Sequence, residues 1–166
     1  MARPFALVAL LPLTLAGLGC APPDLGPAPP HAAVVDIVDG DTIVVRSGTT
    51  TESVRLIGID TPEVAHHDQA DECYGPEAAA RLAELIPVGS TIRLARDIEA
   101  RDVYDRLLAY VFTLDGDLVN VRLAAEGYAT ELAIAPNISL SDAVATAISG
   151  ARTHQLGLWE QCPTSG

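Results

Sequence analysis

The sequence predicts an α+β, mainly β fold, in which five strands form an OB-fold barrel flanked by three α-helices. Three observations support this prediction. Short β-branched runs between residues 33 and 114 are bounded by Asp-Gly and Pro-containing turn signals, and alanine- and leucine-rich helical segments separate and follow them. The chain of 166 residues is also long enough for one domain with a core and too short for two comfortable ones.

The first three predicted strands follow one another along the chain. Ala33–Val38 is an apolar run that ends at a hairpin signal, Asp39-Gly40, and the β-branched segment Thr42–Arg46 is its return strand. Glu52–Ile59 alternates in polarity and is predicted as a third strand, which Pro62 ends.

The rest of the domain alternates helices and strands. In chain order we predict a helix over Glu77–Ile86, strands over Ser90–Arg96 and Arg106–Leu114, a helix over Leu118–Glu126 and a last helix over Asn137–Gln155. Pro76 suits a first helical turn, and Gly127 ends the second helix. Ser139 or Ser141 is the expected N-cap of the last helix.

The N-terminus is typical of an exported chain. Arg3 precedes an apolar run, Phe5–Leu18, that is too short to span a bilayer, so we predict a signal peptide over residues 1–19. Residues 20–31 form a Pro-rich tether, and the folded domain is expected over residues 32–163. Cys20 lies where a bacterial lipoprotein is acylated, which leaves both a lipid-anchored envelope protein and a freely secreted or periplasmic protein open.

Charge and cysteine content limit the class of protein. The chain has 10 basic residues, all arginine, against 22 acidic ones, and a formal net charge of −12. Such a surface repels polyanions, so phosphate binding would need a local arginine cluster or a bound cation. Cys73 and Cys162 have no CxxC spacing and make a poor zinc site, and export favours a disulfide between them.

Two aspartates are candidate ligands of a hard cation. Asp41 follows the hairpin turn and Asp60 ends the third strand, so the two could meet at one rim of a small barrel. Carboxylate and carbonyl oxygens suit calcium, with water completing the coordination. The simpler alternative is that Asp39 and Asp41 only form the turn.

Charged residues near these aspartates are candidates for phosphodiester chemistry. Arg55 lies in an apolar strand, and Arg106 starts the fifth strand; planar guanidinium groups match phosphate oxygens two at a time. Glu63 lies just beyond the third strand and could accept a proton from water. Tyr104 could stack on a base. Each residue taken alone could equally be an ordinary surface residue.

Taken together, these motifs resemble the staphylococcal nuclease (thermonuclease) family. The matching segments are DGDT at Asp39–Thr42, RLIGIDTPE at Arg55–Glu63, YGPEA at Tyr74–Ala78 and DVYDRLLAY at Asp102–Tyr110. The likeness continues through Leu118-Val119-Asn120 to Gly157-Leu158-Trp159 and covers about residues 33–162.

The resemblance implies an exported nuclease with an OB-fold barrel and one calcium ion. It places the calcium at Asp41, Asp60 and the carbonyl of Thr61, makes Glu63 the general base, and assigns Arg55 and Arg106 to the phosphate. Its implied reaction is endonucleolytic hydrolysis of single-stranded DNA and RNA that leaves 3′-phosphate ends. Tyr104 and Asp102 are then expected to contact substrate, and the Cys73–Cys162 pair matches one in exported relatives. We expect a monomer.

Several positions depart from the family pattern. Val103 replaces the substrate-binding lysine, Asp105 replaces a glycine, and the loop after Glu63 carries Asp68, Asp71 and Glu72 where the best-known member is basic. The segment 130–136 has no clear counterpart of the nucleotide-binding tyrosine. The catalytic set is therefore complete while the affinity set is reduced. The alternatives are a non-catalytic OB-fold module of the cell envelope that binds nucleotides or nucleic acid, and an envelope protein that binds calcium structurally.

Overall fold

The structure, a computed structural model, describes residues 31–65 and 70–162. The predicted signal peptide, Cys20, nearly all of the tether and Asp68 lie outside these residues. Within the described part of the chain, no helix is long and apolar enough to cross a membrane.

Five strands close into a barrel, which confirms the predicted fold class. The described residues contain these five strands and two more, β4 and β7, which form a separate two-stranded sheet. In chain order the strands are β1 Ala32–Ile37, β2 Thr42–Ser47, β3 Thr50–Leu56, β4 Gly58–Asp60, β5 Thr91–Ala95, β6 Leu107–Phe112 and β7 Thr130–Leu132. The barrel order is β1-β2-β3-β6-β5, and β5 pairs with β1 to complete the ring. The β3–β6 pair is parallel and the other barrel pairs are antiparallel.

Alternation along the strands fills the barrel with aliphatic side chains. The buried members include Val34, Ile43, Val45, Val54, Leu56, Ile92, Leu94 and Val111. Burial of this apolar surface is the main favourable contribution to folding. Four helices pack around the barrel: α1 Gly75–Leu85, α2 Val119–Ala125, α3 Ser141–Thr153 and α4 Leu158–Gln161. The first three correspond to the predicted helices, and the short α4 is additional.

The predicted third strand is wrong in its continuity, because it breaks after Leu56. Gly58 has φ +85°, a conformation that L side chains rarely adopt, and it turns the chain out of the barrel. The remainder, β4, pairs instead with β7, a strand that the sequence did not reveal. The buried amide of Asn120 supports the break: its Oδ1 accepts from the N–H of Val111 and its Nδ2 donates to the carbonyl of Ile57.

The predicted start and cap of the last helix are also wrong. α3 begins at Ser141, its N-cap is Leu140, and no side chain caps it. Ser139 donates its hydroxyl to Asp97 Oδ1 instead, and its N–H bonds Asp97 Oδ2. The side chain of Ser139 therefore bonds Asp97, a residue distant in sequence, and does not cap the helix as local pattern predicted.

The ends of the helical layer are joined covalently. A disulfide links Cys73, two residues before α1, to Cys162, which follows α4, with 5.8 Å between their Cα atoms. The bond therefore ties the start of α1 to the end of α4.

Candidate active site

The strand break places two acidic side chains on either side of one guanidinium group. Val54 and Leu56 are buried in the barrel, so the alternation of β3 directs Arg55 to the opposite face. Arg55 Nη1 lies 2.8 Å from Asp41 Oδ2, and Nη2 lies 2.7 Å from Asp60 Oδ1. Asp41 and Asp60 therefore converge, as the sequence predicted.

Backbone groups hold this guanidinium in place. Arg55 Nη1 donates to the carbonyl oxygens of Leu56 and Ile59, both at 3.0 Å. These carbonyls belong to the chain around the Gly58 break. The irregular backbone that ends β3 is thus also the structure that orients Arg55.

Thr61 and Gly40 bring the two halves of the acidic cluster together. The N–H and hydroxyl of Thr61 both donate to Asp41 Oδ2, at 2.8 and 3.1 Å. A Cβ added at Gly40 would lie 2.7 Å from Thr61 Oγ1, so glycine permits this close approach. The N–H of Asp41 in turn donates to Asp39 Oδ1 at 2.9 Å.

The cluster carries more negative charge than its arginine neutralises. Burial raises the pKa of Asp41 to about 7; Arg55 opposes the shift, while Asp39 and Asp60 reinforce it. Asp39 and Asp41 are only 6% and 3% exposed, so water screens these charges poorly.

Glu63 lies beside this cluster at the start of the loop to α1. Burial raises the pKa of Glu63 above its usual value; the charge on Asp39 acts in the same direction and Arg55 lowers it. The backbone of Glu63 is held on both sides by Glu72: its N–H donates to Glu72 Oε2, and its carbonyl accepts from the N–H of Glu72. Glu72 therefore fixes Glu63, although the sequence indicated only an acidic loop residue.

A second arginine is oriented by its own hairpin. Asp102 Oδ2 accepts from Arg106 Nε at 2.7 Å, and Asp102 Oδ1 accepts from the N–H groups of Tyr104 and Arg106. The Arg106 guanidinium lies 5.5 Å from the centre of the Tyr104 ring. Burial alone would raise the pKa of Asp102, but the hydrogen bonds from Arg106 outweigh it and lower that pKa below its usual value.

One cleft joins the two arginines. β3 runs parallel to β6, and Arg55 is paired with Leu108 across the two strands. Arg106 precedes Leu108 by two residues, so it lies close to Arg55. Both arginines line a cleft of about 500 Å³ together with Asp102, Tyr104 and residues of the β7 segment. Leu132 and Ile134 form part of this wall, and sequence reasoning missed them because β7 was not predicted.

The donors at the rim fit a hard cation with few side-chain ligands. Within residues 31–65 and 70–162, no group of three His, Cys, Asp or Glu side chains converges as in an all-side-chain metal centre. The available donors are the carboxylates of Asp41 and Asp60 and nearby backbone carbonyls, which are the oxygen ligands of calcium or magnesium. The buried negative charge that Arg55 leaves uncompensated is consistent with an additional cation.

A closed OB-type barrel with paired carboxylates and two arginines beside a cleft has the groups that an enzyme of the phosphodiesterase class needs. A family model described as "Staphylococcal nuclease homologue" matches residues 53–161. The chain belongs to the staphylococcal nuclease family.

Curated relatives agree with this assignment. The chain is 37% identical to a thermonuclease of Staphylococcus intermedius over 125 residues, which is 75% of this chain and 73% of the relative. It is 32% identical to a thermonuclease of Staphylococcus hyicus over 76% of this chain and 73% of that protein. Endonuclease YhcR of Bacillus subtilis is 36% identical over 81% of this chain, but the match spans only 12% of that protein.

Proposed function

We propose that this chain is a calcium-dependent endonuclease that cuts single-stranded DNA and RNA and leaves 3′-phosphate ends. Membership of the staphylococcal nuclease family makes it a nuclease that hydrolyses phosphodiester bonds. The cation, the form of the substrate and the product ends are the proposal. The observation that carries it is the convergence of Asp41 and Asp60 on Arg55, beside Glu63 and the cleft of Arg106.

We assign the cation to Asp41, Asp60 and the carbonyl of Thr61. Bound there, calcium would neutralise the phosphate and act as a Lewis acid on one of its oxygens. The same carboxylates bind Arg55 in the structure, so a cation held there would compete with Arg55 for oxygens of one cluster. Arg55 would then be free to pair with substrate phosphate.

The remaining roles follow from position and chemistry. Glu63 is assigned to orient and deprotonate the attacking water, and a raised pKa makes its carboxylate a better proton acceptor. Arg55 and Arg106 are assigned to the phosphate oxygens, where guanidinium groups stabilise the charge that develops as the bond breaks. Tyr104 and Asp102 border the cleft, Tyr104 as a substrate contact and Asp102 as the support of Arg106.

The proposal is tested by cleavage of a labelled single-stranded oligonucleotide with calcium and with a chelator. We expect cleavage to require calcium and Glu63→Gln to lower kcat by about a hundredfold or more, because general-base catalysis contributes about 10²–10⁴-fold. Glu77→Gln, an exposed acid in the first turn of α1, is the matched control and should leave kcat unchanged.

Two results would contradict the proposal. Cleavage that is equally fast with chelator would remove the calcium requirement. Calcium-dependent binding of the oligonucleotide without any cleavage would instead support the non-catalytic binding module.

Ligation of the purified products only after phosphatase treatment and rephosphorylation would support the 3′-phosphate ends.

Export and anchoring remain proposals drawn from the sequence. A signal peptide over residues 1–19 and a tether over residues 20–31 would precede the nuclease domain of residues 32–163. The mass of the mature protein tests this directly: cleavage before Cys20 with an added diacylglycerol mass supports a lipoprotein, and an unmodified mature chain supports secretion or a periplasmic location.

A further inference from the structure

We propose that Arg101 is a positioning residue, which holds the hairpin of Arg106 against β3 through the carboxylate of Glu52. The inference rests on the proposed function, since that function assigns Arg106 to the substrate phosphate. The hairpin spans residues 101–107, and its two ends form an antiparallel bridge between Arg101 and Leu107. A contact that holds this hairpin therefore also determines where the guanidinium group of Arg106 lies in the cleft.

The hairpin lies beyond the point where β3 and β6 are paired. The paired residues of the two strands begin at Val54 with Leu107. Glu52 precedes Val54 by two residues on β3, and its Oε2 accepts from Arg101 Nη2 at 2.8 Å. This bond extends the connection between strand and hairpin past the end of the backbone pairing. Arg55 lies on the same strand, so the bond joins the two segments that carry the arginines of the cleft.

Arg101 also supports a turn residue in an unfavourable backbone conformation. Arg101 Nη1 donates to the carbonyl oxygen of Asp105 at 2.8 Å, and Arg101 Nε lies 3.6 Å from Asp105 Oδ1. Asp105 has φ +64°, in the left-handed region that glycine adopts readily and other residues adopt rarely. Asp105 immediately precedes Arg106, so the turn that Arg101 stabilises sets the direction in which Arg106 leaves the backbone.

The geometry favours positioning over direct binding of phosphate by Arg101. The Arg101 side chain is 40% exposed and lines the cleft, but each of its guanidinium nitrogens already faces an acceptor of the protein. Nη2 faces Glu52, and Nη1 and Nε face Asp105. A phosphate would have to displace these partners and approach their negative charge.

Glu52→Ala separates the two roles of Arg101 by the sign of the effect. Positioning predicts that kcat/KM falls by about two- to fivefold, the scale of one partly exposed ion pair. If Arg101 bound substrate phosphate, removal of a competing acid beside the cleft would instead raise kcat/KM. The measurement is steady-state cleavage of a single-stranded oligonucleotide with saturating calcium. A rise in kcat/KM would overturn the proposal.

Rescue by glycine tests the support of the turn. Arg101→Gln should lower kcat/KM by about three- to tenfold, the scale of one or two lost hydrogen bonds. In an Asp105→Gly background the same substitution should lower it by only about twofold, because glycine adopts a positive φ without support. In an Arg101→Gln background, Glu52→Ala should cost almost nothing, since its partner is gone. Equal losses in all backgrounds would contradict a positioning role.

Arg122→Gln is the matched control for the lost charge. Arg122 is 52% exposed, pairs with Glu126 on α2 and does not line the cleft. This substitution changes the net charge as Arg101→Gln does, and we expect it to leave kcat/KM unchanged. Losses of the same size from Arg122→Gln and Arg101→Gln would assign the effect to net charge and would overturn the proposal.

Hydrogen–deuterium exchange measures the hairpin without requiring cleavage. In a peptide that spans residues 101–107, Arg101→Gln should speed exchange of the Tyr104 and Arg106 amides, which donate to Asp102. The Tm should fall by less than about 4 °C, because partly exposed ion pairs add little to global stability. Faster exchange in a chain that cleaves nothing under any condition supports the hold on the hairpin and defeats the proposed function alone. Calcium-dependent cleavage with unchanged exchange and unchanged kcat/KM defeats the positioning role alone.

Discussion

At the scale of single residues, the arrangement of Arg106 depends on Asp102. One carboxylate binds the Nε of Arg106 through Oδ2 and two backbone N–H groups through Oδ1, so it fixes both the side chain and its hairpin. The pKa of Asp102 is lowered, so its stabilising contribution is complete above the ordinary value of 3.8 and is lost as the pH falls below it. At neutral pH the carboxylate is charged throughout.

We predict that Asp102→Asn lowers kcat/KM by about tenfold at neutral pH, because the charge-assisted hydrogen bond to Arg106 is weakened. The measurement is steady-state cleavage of a single-stranded oligonucleotide. In an Arg106→Gln background the same change should cost almost nothing, since the group that it positions is gone. An equal loss in both backgrounds would show that Asp102 acts through another contact.

At the scale of elements, the β1–β2 hairpin and the β4 end meet through a glycine. Gly40 has a negative φ outside the left-handed region, so space and not backbone conformation requires it. An added Cβ would lie 2.7 Å from both Ala78 Cβ and Thr61 Oγ1, closer than real contacts allow. Any displacement of Thr61 would disturb its two hydrogen bonds to Asp41.

We predict that Gly40→Ala lowers the free energy of unfolding by about 1–3 kcal/mol, the usual cost of overpacking. Gly150→Ala is the opposite control, because Gly150 lies in α3 with nothing within 4 Å of its added Cβ. It should raise the free energy of unfolding by about 1 kcal/mol, through helix propensity. Urea denaturation of both variants measures these changes; a neutral Gly40→Ala would refute the packing argument.

At the scale of the whole molecule, a net charge of −12 opposes the approach of a polyanion. The attractive groups are local: Arg55 and Arg106 line the cleft, where each already contacts a carboxylate. Arg81 pairs with Glu126, and Arg101 pairs with Glu52. Global repulsion and local attraction therefore compete, and salt screens both.

We predict that kcat/KM is nearly constant or rises as sodium chloride increases from about 10 to about 100 mM, while the Debye length falls from about 30 to about 10 Å. Ordinary nucleic-acid binding weakens steeply over such a range. The measurement keeps calcium fixed and saturating. A steep monotonic fall from the lowest salt would indicate that local attraction dominates, and would contradict the prediction.

Local pattern was enough to predict the positions of the barrel strands and of three helices, whereas the roles of the site residues stay predictions that rest on the family resemblance. Pro76 in the first turn of α1 and Gly127 after α2 each act through the conformation of their own few residues. Each of these signals lies within one short stretch of chain, so it can be recognised from the sequence. The resemblance to the nuclease family added the expectation that Asp41 binds calcium and that Glu63 takes a proton from water.

The sequence by itself determined an α+β domain with a barrel of short strands, a shortage of positive charge, and the presence of the carboxylates and arginines that a phosphodiesterase needs. Only the tertiary structure decided that Arg55 bridges Asp41 and Asp60. It also decided that the side chain of Glu72 binds the backbone N–H of Glu63, and that Ser139 bonds Asp97 and does not cap a helix. The reason is physical: strand and turn preferences act between near neighbours, whereas these contacts join residues that meet only when the whole domain has folded.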